Sequence, residues 1–104
     1  MKLLWLELAE EDLDSIYHFY SSDKSIKAAT KLYNDILNAA EKLIDFPHIA
    51  SIELDLSDEG EEYRSLVVRK HFKIIYFVEV DVVYIAAIRD CRQNPQTNVS
   101  KHKT

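Results

Sequence analysis

One cysteine, one glycine, two prolines and one tryptophan in 104 residues each close off a class of molecule. The lone Cys91 excludes an intramolecular disulfide framework and a paired-cysteine zinc site, and it fits a reducing compartment. At the end of the last apolar run, with no positive helix terminus beside it, it reads as an inert packing residue. A single glycine, Gly60, is too few for a phosphate-cradling loop or a dinucleotide fingerprint. Neither an HExxH helix nor a nucleophile-elbow serine is present. His18, His48, His71 and His102 are scattered without ligand-like spacing, so neither a metal nor a cofactor is expected. No apolar run approaches the roughly 20 residues of a membrane-spanning helix. The opening MKLLWLELAEED turns acidic too early for a secretory signal, so the expectation is a cytoplasmic protein with no membrane partner.

What is abundant is charge, and it is divided. Residues 1–62 hold five lysines against fifteen acids, whereas residues 63–104 hold eight lysines or arginines against three acids. The division implies a positive working face on an acidic body, or merely acidic helices that keep a small protein soluble. Length allows one domain, expected over 1–95, followed by a polar tail at 96–104 that lacks periodicity and is expected to be mobile.

Three runs rich in Val, Ile, Tyr and Phe, at Tyr63–Arg69, Phe72–Val80 and Val82–Arg89, follow one another across very short polar breaks. That is the pattern of an antiparallel meander. Leu66, Val68, Phe72, Ile74 and Tyr76 can share an apolar face, with Arg64 and Lys73 read as pointing outward. Upstream, Lys2–Glu7 fits a first strand in which Trp5 anchors the core. Ala9, Leu13, Ile16, Tyr17 and Tyr20 then recur at helical spacing behind an acidic first turn. Ser21-Ser22-Asp23 is expected to stop this helix and cap the next, whose stripe is Ile26, Ala29, Tyr33, Ile36, Ala40 and Leu43 and whose end is Phe46-Pro47. His48–Glu62 is irregular, with a short edge strand expected at Ile52, Leu54 and Leu56. The sum is an α+β fold in the order β-α-α-(β)-β-β-β, a helical hairpin on a mainly antiparallel sheet of three to four strands.

The chemistry-bearing set is cationic: Arg64, Arg69, Lys70, Lys73, Arg89 and Arg92, with His71 and Tyr76 near in sequence. Guanidinium groups on a rigid sheet suit phosphates or carboxylates. In an RNA-cleaving site, Arg64, Lys73 and Arg89 or Arg92 would hold the scissile phosphate and His71 would carry a proton. The plainer role for Arg64 and Arg89 is pairing with acids of the segment Asp55–Glu62. Tyr63, Tyr76 and Tyr84 can stack on bases, although core packing is their default.

Trp5, Ala9, Asp12, Leu13, Ile16 and Tyr20, spaced W-x3-A-x2-D-L-x2-I-x3-Y, then Leu43-x3-Pro47, Tyr63-Arg64, Ile74-Ile75-Tyr76 and the closing Arg92-Gln93-Asn94-Pro95, together resemble the RelE/ParE superfamily of bacterial type II toxins. The resemblance covers residues 3–95, and the RQNP ending is similar to plasmid-stabilisation members. It implies a small two-helix toxin held inactive by a cognate antitoxin that wraps it. RelE-like members cut messenger RNA on the ribosome and ParE-like members inhibit DNA gyrase, and the first half here looks more like the ParE arm. This chain departs from RelE-like nucleases in its acidic balance, in Leu66, and in a tail ending His102-Lys103-Thr104 without tyrosine. The resemblance therefore implies binding of gyrase first, ribosome-dependent cleavage second and an inactive antitoxin-binding remnant third. Arg64, Arg69, Lys73, Arg89 and Arg92 are the expected contacts for target or antitoxin.

Overall fold

The computed structural model describes residues 1–54 and 60–92. The expected tail at 96–104 and the residues Gln93-Asn94-Pro95 lie outside them. The elements are β1 (Lys2–Trp5), α1 (Glu7–Asp23), α2 (Ile26–Asp45), β2 (Ser51–Ile52), β3 (Arg64–Val68), β4 (Phe72–Glu79) and β5 (Val82–Asp90). They form one sheet of five strands in the order β1-β5-β4-β3-β2. The expected count of three to four strands is thus corrected, because β1 joins the sheet at its far edge, parallel to β5, with Leu3 beside Val83 and Trp5 beside Ile85. The other pairings are antiparallel, as the meander required.

α1 begins without a side-chain cap at Leu6, its first turn carrying Glu7 and Glu10. It runs through Ser21-Ser22-Asp23 rather than stopping there, and the cap of α2 is Ser25, whose Oγ accepts from the Ala28 N–H at 3.0 Å. α2 ends at Asp45 because Pro47 disfavours helical geometry at Phe46. Its buried stripe is Ala29, Leu32, Ile36, Ala40 and Leu43. Leu32 takes the place expected for Tyr33, and Ile26, 69% exposed, is outside the core. Against this stripe lie Phe72, Ile74 and Tyr76 of β4 with Val83, Ile85 and Ile88 of β5. Each fully buried aliphatic side chain here contributes about 1.5–3 kcal/mol, so this helix–sheet contact fixes the fold. Trp5 packs at its margin, partly buried.

Ile85 and Ile88 face the same side although they are an odd number of residues apart, because a bulge interrupts the β4–β5 register. Ile75 pairs with Ala87, whereas Tyr76 pairs with Ile85. The extra residue restores the apolar phase of β5 to the helix side. β2 is shorter than expected: Leu54 is exposed outside it, and Leu56 lies outside the described residues. Among the described residues no helix is long and apolar enough to cross a membrane.

Candidate functional site

The strand pairings place each expected site residue. Arg64 stands opposite Tyr76, and Leu66 and Val68 stand opposite Ile74 and Phe72. Arg64 is therefore on the helix-covered face, not the outward one. Its Nη1 donates to the Ala50 carbonyl at 2.7 Å and to the His48 carbonyl at 3.5 Å, while Nη2 meets Glu62 Oε1 at 3.3 Å. It fastens the α2–β2 connection to the sheet. Arg69, in the β3–β4 turn, directs Nε and Nη2 to Asp35 Oδ2 of α2 at 2.7 Å each. Arg92, just past β5, donates to Asp90 and Tyr20 and stacks its guanidinium over the Phe72 and Tyr20 rings at 5.5 and 5.7 Å. The Asp90 hydrogen bond, then the one to Tyr20, pushes the Arg92 pKa up further.

Of these, Lys73 and Arg89 are brought together, as direct cross-strand neighbours on the face that carries no helix among the described residues. Lys73 Nζ lies 3.7 Å from Glu53 Oε2, an oxygen that also accepts from Ser65 Oγ at 2.7 Å. Arg89 is in no ion pair among the described residues. His71 lies in the β3–β4 turn, where its carbonyl accepts from the Cys91 N–H. The set required for RNA cleavage does not converge. Arg64 is on one face, Lys73 and Arg89 are on the other, and Arg92 is at the end of α1. The expectation of a continuous basic surface is corrected accordingly. Cys91 is likewise exposed rather than packed.

Sequence reasoning missed what occupies the helix-free face. Phe77 stacks on Tyr84 with centroids 4.9 Å apart and 16° between planes, and Tyr63 meets Phe77 edge-on at 5.4 Å. Leu4, 48% exposed, pairs with Tyr84 across β1–β5, and Val67, 56% exposed, is opposite Lys73. The result is an aromatic strip across the strands, with Glu79 two residues from Phe77 on the same face and the Lys73–Arg89 pair farther along the strands. Period-two spacing held the signal, since Tyr63 alternates with Arg64, and Phe77 with Tyr76, which is wholly buried in the core. A second overlooked residue is Asp12 of α1, whose Oδ2 accepts from the Ile88 N–H at 2.9 Å and so satisfies β5 where β1 no longer flanks it. Partial burial raises its pKa, opposed by that N–H and by the Arg89 charge. Among the described residues no group of three or more His, Cys, Asp or Glu is placed to hold a metal ion.

A family model described as ParE toxin of type II toxin–antitoxin system, parDE, matches residues 3–95. Among solved structures, a chain of the chromosomal ParDE TA system from P. aeruginosa superposes with a TM-score of 0.73 at 24% identity, over 86% of this chain and 95% of that one. That likeness bears on the fold. No curated protein matches the chain.

Proposed function

Because the chain belongs to the ParE toxin family of type II toxin–antitoxin systems, we propose that it arrests growth by binding a cellular protein target, DNA gyrase being the first to test. A cognate antitoxin neutralises it by covering the helix-free face of the sheet. The observation that carries this reading is the strip of Leu4, Tyr84, Phe77 and Tyr63, an aromatic and aliphatic surface with no helix over it among the described residues. Aromatic anchors of this kind dominate protein interfaces. The dispersal of Arg64, Lys73, Arg89, Arg92 and His71 supports binding over ribosome-dependent cleavage.

The test is induced expression in a bacterial culture, with and without a co-expressed antitoxin, for the wild type and for the double variant Phe77→Asp, Tyr84→Asp. Wild type is expected to arrest growth and the antitoxin to relieve it. The variant, shown by circular dichroism to be folded, is expected to lose both arrest and antitoxin binding. Retention of both would contradict the assignment of this face, and absence of arrest by wild type would leave an antitoxin-binding remnant.

A further inference from the structure

Every second residue of β4 lies on the helix-free face, and these read Lys73, Ile75, Phe77, Glu79. A charge of opposite sign stands at each end, with two apolar residues between. The neighbouring strands repeat the division. Arg89 is beside Lys73 across β4–β5. Glu61, just before β3, is beside Glu79, and its pKa is raised by desolvation, then by the Glu79 charge and a hydrogen bond between the two carboxyls. Like charges are therefore crowded at both ends, cations on one side of the aromatic strip and carboxylates on the other. Lys73 is drawn to Glu53 at 3.7 Å, while Arg89, Glu61 and Glu79 are in no ion pair among the described residues. Lys2, also toward the carboxylate end, is two strands from Glu79, across Val82. Between the aromatic strip and the cations runs a row of smaller side chains, Ser65, Ile75 and Ala87.

Such a face is complementary to itself turned end for end. A two-fold axis running across the strands, between Ile75 and Phe77, lays one bare face on another with β4 antiparallel to its mate. The rotation sets the rings of Tyr63, Phe77 and Tyr84 over the smaller row of the second copy, and Glu79 and Glu61 toward its Lys73 and Arg89. Sheets pack about 10 Å apart, a gap that a lysine or arginine and a glutamate span from opposite sides. We propose that the free chain pairs with a second copy of itself through this face, as a reversible homodimer whose aromatic strips cover each other. The pairing stands on the geometry of the face; that it holds the toxin in check rests on the proposed function. Five strands about 4.8 Å apart and eight residues of about 3.4 Å each make a face of roughly 600 Å². That is the low end for specific interfaces, so the pair exchanges, and a partner competing for the same face displaces it.

The test is sedimentation equilibrium of the purified full chain. Wild type is expected to dimerise with a dissociation constant on the order of micromolar. Glu79→Lys puts cations at both ends of the face, and Lys73→Glu with Arg89→Glu puts carboxylates at both. Each variant alone is expected to associate at least roughly tenfold more weakly than wild type. An equimolar mixture of the two restores opposite charges across the interface and is expected to dimerise about as tightly as wild type. Should the doubly acidic variant fail to fold, Arg89→Glu mixed with Glu79→Lys carries the same test. Wild type monomeric at about 100 μM, dimers indifferent to the reversals, or a mixture no tighter than its components would overturn the inference. A monomeric chain that still arrests growth would remove the homodimer and leave the target-binding reading, whereas a charge-sensitive dimer without growth arrest would do the reverse.

Discussion

One buried and one half-buried polar group show how much depends on a single atom. The Tyr76 hydroxyl lies inside the core beside the Ala50 backbone that Arg64 holds, with no hydrogen bond of good geometry among the described residues. An unsatisfied buried hydroxyl costs about 1–3 kcal/mol, so Tyr76→Phe is expected to leave the denaturation midpoint unchanged or to raise it. A clear drop would show that the hydroxyl is bonded. Asp12 differs, because its carboxylate is bonded to the Ile88 N–H while burial raises its pKa. An acid whose pKa is raised on folding binds its proton more tightly folded than unfolded, so stability rises as the pH falls through that value. Asparagine at this position can still accept from Ile88 but does not titrate. Wild type should therefore gain stability relative to Asp12→Asn between about pH 7 and about pH 4, read from urea midpoints of both proteins. A constant difference would contradict the assignment.

At the scale of elements, much was legible and its failures have physical causes. The two helices, the meander and the proline stop at Phe46-Pro47 follow from local periodicity, which reports burial on one side. Three features are not local. The parallel seating of β1 against β5 joins chain ends separated by both helices, the bulge at β5 shifts a phase that strict alternation assumes, and the cap of α2 slides to Ser25 because α1 outlasts its serines. Arg64 was legible and misread, since its spacing to Leu66 and Val68 already assigns it to the apolar side. The β4–β5 hairpin carries a local conflict too. Val80 and Asp81 form its two-residue turn, and Val80 adopts a φ of +56° while 86% exposed. A β-branched residue in the left-handed region is strained, and glycine is not. Val80→Gly is expected to raise stability by about 0.5–1 kcal/mol in thermal or urea unfolding. A loss would mean that the valine side chain holds the hairpin.

Across the whole molecule, folding pairs part of the charge asymmetry so evident in the sequence. Asp35, Glu53 and Glu62 come from the acidic half, and each holds a cation of the basic half, Arg69, Lys73 and Arg64 respectively. Partly exposed pairs of this kind contribute on the order of 1 kcal/mol each, and they engage Arg64, Arg69 and Lys73 locally. Nucleic-acid binding rests on phosphate neutralisation by unpaired cations, whereas an aromatic and aliphatic strip suits a protein. The candidate site thus emerged from the side of the sheet that helices leave bare, which composition could not show. The most direct test is supercoiling of relaxed plasmid by purified DNA gyrase in the presence of the purified chain. Supercoiling is expected to be lost as the chain is added and restored by its antitoxin, and full supercoiling at a large excess of chain would contradict the account.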